Sequence, residues 1–431
     1  MDHKAYYQSK SGTLQGALDL IRSGDTIATP IYGNEPTQFL KRLHTIAPRV
    51  EDVYLWTMLM MGDYPVMTDD SLMGSIDIIT FFYNNNCRTG HASKRYSMVP
   101  LNLHSVGRTM VETRRPNVFV AAVSPMDEHG MVYMSFDLQG TTECMAAADT
   151  VIFEINPNIP RIFGQTAIPI ERADYIYEAA TPLPYAPAAP SSEVEKRIAE
   201  QVVSLIHDGD CIQLGIGGMP NAVGEALMDK QDLGIHTEML TSSMGKLLQA
   251  GVVTNARKNF NPGKTIGAFA WGDQALYDYM AENTSVELRR AAWVNDPFNI
   301  AQNDNMVSVN TAIQIDLTGQ VCSESIGPRQ FSGTGGATDF AYGAFHSKGG
   351  RGILAVASTA KHGTVSKIQP ILTPGSVVSI SRNIVDYVVT EYGIAKLKDR
   401  TIRQRVDALI QIAHPDFRAD LRKQADELML W

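Results

Sequence analysis

Apolar residues along this chain fall into two kinds of segment, short β-rich runs and longer stretches with helical spacing. Residues 13–23 have helical spacing, and Gly24-Asp25 ends that predicted helix. The run 26–30 then predicts a short strand, and 37–46 predicts the next helix. Strands that alternate with helices indicate an α/β fold, with parallel sheets covered by helices on both faces.

The same order of elements recurs in the second half of the chain. Residues 192–207 predict a helix that opens with a capping box, Ser192 and Glu195, and ends at Gly209-Asp210. The apolar strand 211–214 and a glycine-rich turn follow. Five identities are spaced 185 positions apart: Ile21/Ile206, Gly24/Gly209, Asp25/Asp210, Ile27/Ile212 and Gly33/Gly218. We interpret the chain as two copies of one α/β unit.

A proline-rich stretch separates the two copies. Four of the ten residues 181–190 are prolines, a composition typical of a stiff, extended linker. We therefore predict an N-terminal domain at 1–180, a linker at 181–191 and a C-terminal domain at 192–431. A length of 431 residues also exceeds that of one typical core, which favours two domains.

Composition narrows the class of protein. Hydrophobic content of 44% and charged content of 19% are typical of a soluble globular protein, and a net charge of −9 argues against a nucleic-acid surface. No run reaches the roughly 18 apolar residues of a membrane span, and the N-terminus lacks a signal peptide's apolar stretch. We expect a cytoplasmic protein without a membrane partner. The four cysteines form no C-x-x-C pair, so neither a metal site nor a disulfide framework is expected.

The strongest candidate chemistry lies in and after the glycine-rich turn of the second copy. Gly215, Gly217 and Gly218 allow a tight turn with bare N–H groups, and Pro220 opens the next helix. Such amides can hold a phosphate or stabilise an oxyanion. About twenty residues later, a second apolar segment brings Glu238 to the end of a strand. A carboxylate in that position suits nucleophilic acyl chemistry.

The turn on its own has less specific explanations. A Gly-x-Gly-Gly turn is more often a simple strand-to-helix connection, and an acidic residue about twenty positions further on mimics a dinucleotide-binding fingerprint. Pro220 stands where the third fingerprint glycine is required, which argues against nicotinamide binding. Cys211 lies in an apolar strand and is expected in the core. His236 is expected to have a structural role at the strand end.

Six stretches carry further motifs: Gln-Leu-Gly-Ile-Gly (213–217), His-Thr-Glu-Met (236–239), Ala-Gly-Val-Val-Thr-Asn (250–255), Ser-Ile-Gly-Pro-Arg-Gln-Phe-Ser-Gly-Thr-Gly-Gly (325–336), Asp-Tyr-Val-Val-Thr-Glu-Tyr-Gly-Ile-Ala (386–395) and Ala-His-Pro-Asp-Phe (413–417). In this order they resemble the acetyl-CoA hydrolase/transferase family, in particular its 4-hydroxybutyrate and butyrate CoA-transferase branch. The resemblance implies two tandem open α/β domains of the CoA-transferase type, with mainly parallel sheets and an active site in the cleft between domains. It also implies CoA transfer between acetyl-CoA, or another short acyl-CoA, and a short-chain acid such as butyrate or 4-hydroxybutyrate.

The resemblance gives Glu238 the role of nucleophile, which reacts through an acyl-glutamyl anhydride and a glutamyl-CoA thioester. A carboxylate needs no general base, and its reference pKa of about 4.3 leaves it ionised at neutral pH. The amides of Gly217 and Gly218 are candidates for stabilising each tetrahedral oxyanion. Asn295 matches the amide that orients the glutamate or binds the thioester oxygen.

The resemblance further implies that CoA and acyl-CoA are substrates, together with small carboxylic acids, and that no cofactor is tightly bound. A homodimer or a larger homo-oligomer is expected. Lys361 stands where a cation would meet the CoA phosphates, with a solvated surface lysine as the alternative. The expected CoA-binding residues are Gly215, Ile216, Gly217, Gly218, Met219, Ile313, Gly336, Ser358 and Lys361.

Two departures from the family pattern affect what can be carried over. Thr241-Ser242-Ser243 replaces a Ser-Asp-Gly sequence, which removes a carboxylate from beside the nucleophile. The stretch 95–100 replaces a Gly-Gln-Phe-Val-Pro-like sequence in the region expected to line the acyl pocket, so the identity of the acid does not carry over. Two alternatives stay open: an acyl-CoA hydrolase of the same family, and a non-catalytic or isomerase-like binder of sugar phosphates.

Overall fold

The computed structural model describes residues 2–60, 62–186, 190–215 and 217–430. Residues 187–189 of the predicted linker and the candidate CoA-binding residue Ile216 therefore lie outside the described residues.

The chain divides into two compact units. The first unit combines Met1–Ala186 with Ile266–Trp293, and the second combines Pro187–Thr265 with Val294–Trp431. The segment Ile266–Trp293 thus belongs to the first unit, whereas the sequence analysis assigned it to the C-terminal domain. A single boundary in sequence does not describe this division, because the chain leaves the second unit and returns to it.

Twenty-six strands are described: β1 Thr26–Ala28, β2 Val53–Thr57, β3 Ile76–Thr80, β4 Tyr96–Met98, β5 Val118–Val123, β6 Met131–Tyr133, β7 Thr150–Ile155, β8 Ala167–Pro169, β9 Tyr175–Glu178, β10 Cys211–Leu214, β11 Gly234–Ile235, β12 Met239–Leu240, β13 Thr265–Gly267, β14 Phe269–Ala270, β15 Val286–Leu288, β16 Met306–Asn310, β17 Gln314–Asp316, β18 Val321–Cys322, β19 Ser325–Ile326, β20 Arg329–Gln330, β21 Arg351–Ala355, β22 Thr359–Ala360, β23 Val365–Ser366, β24 Ile368–Gln369, β25 Tyr387–Thr390 and β26 Gly393–Lys396.

Sixteen α-helices are described: α1 His3–Lys10, α2 Leu14–Asp19, α3 Thr37–Leu43, α4 Pro65–Thr68, α5 Asn85–Thr89, α6 Val106–Thr113, α7 Thr141–Ala147, α8 Glu193–Val203, α9 Gly218–Ala226, α10 Ser242–Gln249, α11 Gln274–Met280, α12 Ala291–Val294, α13 Pro297–Ala301, α14 Ala337–His346, α15 Ile402–Ile412 and α16 Pro415–Glu427.

Each unit is built on one open, mainly parallel sheet. In the first unit, seven strands lie in the order β4-β3-β2-β1-β5-β7-β9, and each neighbouring pair is parallel. In the second unit, six strands lie in the order β11-β10-β16-β21-β25-β26, with only β25–β26 antiparallel. The predicted α/β class with mainly parallel sheets is confirmed.

The strands read as apolar runs because both faces of these sheets are covered. All six residues of β5 are buried. Ile27, Leu55 and Ile78, one from each of β1, β2 and β3, share the core of the first unit. Leu354 of β21 and Val388 of β25 belong to the corresponding core of the second unit. These cores leave the loops at the strand ends to carry chemistry.

The same turn begins the first strand of each predicted copy. Gly24 and Gly209 have φ of +84° and +82°, a region that favours glycine. Asp25 Oδ2 accepts a hydrogen bond from the amide of Arg22 at 2.7 Å. Asp210 Oδ2 accepts from a backbone amide three residues earlier in the same way, at 2.6 Å. The predicted strand 211–214 and the capping box on α8 are also confirmed.

Candidate active site

Glu238 lies at the carboxyl edge of the six-stranded sheet. Strand β11 pairs in parallel with β10, so that Ile235 lies opposite Ile212. Glu238 follows Ile235 by three residues, and Gly215 follows Ile212 by the same interval. The glycine turn and Glu238 therefore emerge at the same edge. In open α/β sheets, this is the edge where ligands bind.

Two hydrogen-bond donors hold the Glu238 carboxylate. Asn295 Nδ2 donates to Glu238 Oε2 at 2.8 Å, and the backbone N–H of Gly336 donates to the same carboxylate. A Cβ at Gly336 would overlap with Glu238 Oε2 and with Asn295 Nδ2. Only glycine therefore lets the backbone approach this closely. The structure brings together three residues that the sequence analysis selected: Glu238, Asn295 and Gly336.

The electrostatic environment of Glu238 differs from the expectation of an ordinary carboxyl. The pKa of Glu238 is raised to about 7: burial is the main cause and the carboxylate of Asp339 contributes to the rise, while the donors Asn295 and Gly336 oppose it. The change follows from the loss of solvating water around a carboxylate that is only partly accessible. Such a carboxylate is more basic than one in water and still substantially ionised at neutral pH.

His236 links the segment that carries Glu238 to the segment that carries Asn295. Its Nε2 lies 2.8 Å from the carbonyl oxygen of Val294, the residue before Asn295. Its ring also meets Phe340 of α14 edge-on, at 6.2 Å between centroids. The predicted structural role of His236 is confirmed.

Asn295 retains one unused acceptor. The side chain is completely buried, and among the described residues its Oδ1 atom has no hydrogen-bond partner. The side chain already donates to Glu238, so it can bridge the carboxylate and an N–H or O–H group of a ligand.

The glycine-rich turn supplies fewer free amides than its composition predicts. The Gly215 N–H donates to the carbonyl of Val309 at 2.9 Å and so belongs to the sheet. Gly217, with φ of +117°, and Gly218 are exposed at the start of α9. None of the hydrogen bonds found among the described residues joins either amide to Glu238. Met219 is buried in the first turn of α9. The oxyanion role of the two glycines remains a prediction.

Three other expected CoA-binding residues, Ile313, Ser358 and Lys361, lie on loops and turns of the second unit. The amide and hydroxyl of buried Ser358 both donate to Glu391, at 2.9 and 2.7 Å. The Ile313 amide donates to the carbonyl of Cys322 at 2.9 Å. Lys361 is exposed in the turn between β22 and β23, with φ of +48°. Their proposed contacts with CoA remain predictions.

Asp339 is a site residue that sequence reasoning missed. Its side chain is 1% exposed, in the first turn of α14, three residues after Gly336. The sequence analysis noted the loss of a carboxylate beside the nucleophile at Thr241–Ser243. The carboxylate of Asp339, which belongs to another segment, raises the pKa of Glu238 instead. Only its adjacency to the 325–336 motif could have drawn attention to it.

The described residues include no group of three or more His, Cys, Asp or Glu side chains that could hold a metal ion. All four cysteines are free thiols and are buried. In the same part of the chain, no helix has both the length and the apolar character needed to cross a membrane.

Two open, mainly parallel sheets define an α/β protein, and a carboxylate that accepts from amides at the carboxyl edge of one sheet suits acyl chemistry. The N-terminal domain of the acetyl-CoA hydrolase/transferase family matches residues 1–185, and its C-terminal domain matches residues 272–425. The chain belongs to this family. Relatives that are 41% and 39% identical to it over nearly the whole chain are named CoA-transferases, and the chain is a CoA-transferase.

Three similar proteins show the extent of the match. A succinyl-CoA:cyclohexane-1-carboxylate CoA transferase of Geobacter metallireducens is 41% identical, covering 98% of this chain and 96% of that protein. A 4-hydroxybutyrate coenzyme A transferase of Clostridium kluyveri is 39% identical, covering 98% and 99%. The crystal structure of RipA from Yersinia pestis has a TM-score of 0.94 at 35% identity and covers both chains completely.

Proposed function

We propose that this CoA-transferase moves CoA between acetyl-CoA, or another short acyl-CoA, and a short-chain carboxylate such as butyrate or 4-hydroxybutyrate. Glu238 would be the nucleophile in a ping-pong reaction. The observation that carries the proposal is the held carboxylate: Asn295 Nδ2 and the Gly336 amide both donate to a partly buried Glu238. The activity of the 4-hydroxybutyrate relative supports the choice of acid.

The proposed first half-reaction has two steps. A Glu238 oxygen attacks the thioester carbon, and the tetrahedral oxyanion collapses with cleavage of the C–S bond. This releases CoA thiolate and leaves a mixed acyl-glutamyl anhydride. The thiolate then attacks the glutamyl carbonyl, so the donor acid leaves and a Glu238–CoA thioester remains. The acceptor carboxylate repeats these steps in reverse. Each intermediate keeps an activated carbonyl, so the exchange is reversible.

The residues around Glu238 have distinct proposed roles. Asn295 and the Gly336 amide orient the carboxylate before attack and donate to the glutamyl oxygen when it becomes charged. The amides of Gly217 and Gly218 are the proposed donors for the oxyanion of the acyl group. Loss of one such donor typically raises the barrier by about 2.7–4 kcal/mol.

The proposed CoA site extends from the glycine turn to Ser358 and Lys361, with the Lys361 ammonium available to the phosphates. We also propose that CoA acts only as a substrate, with no tightly bound cofactor, and that the protein forms a homo-oligomer. Sedimentation of the purified protein tests the assembly directly.

The experiment that tests the function is an acceptor panel with labelled acids. Acetyl-CoA is incubated with butyrate, 4-hydroxybutyrate or no acid, and both free CoA and the new acyl-CoA are measured. Transfer predicts a new acyl-CoA that appears only with an acceptor. Equal release of CoA in water alone would instead identify a hydrolase. No reaction with any acid would contradict both functions.

A further inference from the structure

Strand β11 forms one edge of the six-stranded sheet. On its inner side, the amides of Gly234 and His236 donate to carbonyls in and beside β10. Successive residues of a strand direct their backbone groups to opposite sides, so the N–H and C=O of Ile235 point away from β10. An edge strand offers such groups no strand partner, and leaving them unpaired in a buried place is costly.

Two buried side chains take the place of a neighbouring strand at Ile235. Asn255 Oδ1 accepts from the Ile235 N–H at 2.9 Å. Lys258 Nζ donates to the Ile235 carbonyl at 2.9 Å. The two side chains are only 3% and 6% exposed. We call this pair, Asn255 and Lys258, the edge clamp.

The edge clamp is itself anchored on its outer side. Asn255 Nδ2 donates to the hydroxyl of Thr265 at 2.9 Å. Lys258 Nζ also donates to the carbonyl of Lys264 at 2.7 Å. A Cβ at Gly234 would overlap with Lys258 Cγ, so the lysine stem can cross the strand only where glycine stands. Burial of an ammonium group is costly, so these bonds, rather than packing alone, account for a lysine here.

Further contacts follow Ile235 along the chain as far as the Glu238 carboxylate. Ile235 lies three residues before Glu238. Between them, His236 Nε2 lies 2.8 Å from the carbonyl oxygen of Val294. At the far end, Asn295 Nδ2 donates to Glu238 at 2.8 Å. The segment is therefore tied at both ends. A displacement of about 1 Å at a reacting group can reduce the rate about 100-fold.

We propose that Asn255 and Lys258 are positioning residues for the transfer reaction. By holding the backbone of Ile235, they keep the Glu238 carboxylate where it can attack a thioester. The proposal rests on the proposed role of Glu238 as nucleophile. In this role the clamp acts through the backbone of Ile235.

The variant Lys258→Met tests the proposal, because it removes the donor and keeps the aliphatic stem. We expect kcat to fall about 10- to 100-fold, with the KM for acetyl-CoA changed less than about threefold. Single-turnover formation of the Glu238–CoA adduct should slow by the same factor as kcat.

Arg405→Met is the matched control. Arg405 is 9% exposed, and its Nη1 atom donates to the carbonyls of Thr318 and Arg382 at 3.1 and 2.7 Å. Like Lys258, it is a buried cation that donates to backbone carbonyls, but none of these carbonyls belongs to the segment that leads to Glu238. Its loss should lower Tm and leave the kcat of the folded enzyme unchanged.

A second pair of variants covers the case in which Lys258→Met fails to fold. Asn255→Asp keeps an acceptor for the Ile235 N–H, whereas Asn255→Leu removes it. We expect Asn255→Asp to retain the higher kcat at equal folded fraction. The proposal is overturned if the variants that fold keep the wild-type kcat, or lose activity only in proportion to their folded fraction.

Glu238→Ala, assayed together with these variants, distinguishes a failure of the proposed function from a failure of the clamp proposal alone. If Glu238→Ala retained transfer activity, both the proposed role of Glu238 and the clamp proposal would be contradicted. Loss of transfer by Glu238→Ala, together with normal kcat in the clamp variants, would overturn the clamp proposal alone.

Discussion

The strand pair β1–β2 of the first unit and the pair β10–β11 of the second have the same parallel arrangement, yet their carboxyl edges carry different chemistry. In the first unit, Leu55 of β2 pairs with β1, and Met58 lies three residues further on and is buried. In the second unit, Ile235 of β11 pairs with β10, and Glu238 lies three residues further on. The same framework places a core side chain in one unit and the candidate nucleophile in the other.

The outer sides of these two strands also differ. Leu55 pairs outward with Ile78 of β3, so the sheet of the first unit continues. Ile235 meets the edge clamp of Asn255 and Lys258 instead, and the sheet of the second unit ends there. The last strand of that sheet, β11, therefore leads directly to the candidate nucleophile Glu238. Side chains then have to supply the rigidity that a neighbouring strand gives elsewhere.

The largest effect on the transfer rate is expected from removal of the Glu238 carboxylate, which distinguishes the second unit from the first at this position. Glu238→Ala should lower transfer by about four or more orders of magnitude, because the covalent route is lost. Its structural counterpart supplies the control: Met58→Leu conserves volume and should cost less than about 1.5 kcal/mol in stability. Steady-state transfer assays and Tm check both variants. More than about one per cent residual activity in Glu238→Ala, freed of wild-type contamination, would contradict the assignment.

The second prediction concerns the close approach of Gly336 to the carboxylate. Gly336→Ala should reduce kcat about 100-fold or more, because the added methyl overlaps Glu238 Oε2 and displaces it. Gly352→Ala is the control, since a Cβ there has its nearest neighbours at 3.8 Å. Similar kcat values for the two alanine variants would show that the position of the carboxylate does not limit the reaction.

The third prediction is a pH dependence. Because burial raises the pKa of Glu238 to about 7, kcat/KM should rise with pH through that value as the carboxylate ionises. Asp339→Asn removes a nearby negative charge that raises this pKa, so the acid limb should move to lower pH. Initial rates at low acetyl-CoA concentration, measured from pH 5 to about 9, give the midpoint. A shift of the acid limb of kcat/KM to higher pH in Asp339→Asn would contradict the prediction.

The smallest effect is expected at the turn that the two units share. Gly24→Ala and Gly209→Ala both force a side chain into positive φ, which by itself should cost about 1 kcal/mol of stability. Gly209→Ala should cost more, because a Cβ there would lie 2.5 Å from Arg257 Cζ, whereas Gly24 has open space around it. Denaturant unfolding measures both, and kcat should stay unchanged. Equal costs would show that Arg257 moves aside.

Local signals predicted much of this framework. The strand 211–214 and the capping box of Ser192 and Glu195 depend on neighbours in sequence, and both are present. Helix ends were less accurate: the predicted helix 13–23 spans only Leu14–Asp19. Apolar spacing continues past the last helical turn there, because Ile21 still packs in the core.

Contacts between distant segments could not be predicted from such signals. The Gly336 amide donates to Glu238, and the Asp339 carboxylate raises its pKa, from about a hundred residues away in sequence, and no local pattern encodes that approach. No local pattern marks Lys258 as a buried residue, yet it is buried and its Nζ atom donates to the carbonyl of Ile235. The elevated pKa of Glu238 likewise follows from tertiary burial, which the reference value does not contain.

The most direct test is a mass measurement on the peptide that contains Glu238. The enzyme is mixed with acetyl-CoA in the absence of acceptor acid, quenched in acid, digested and analysed for a CoA thioester. The account predicts one CoA adduct, located on Glu238, that disappears when butyrate or 4-hydroxybutyrate is added before the quench. Full transfer activity without an adduct, or with CoA on another residue, would contradict it.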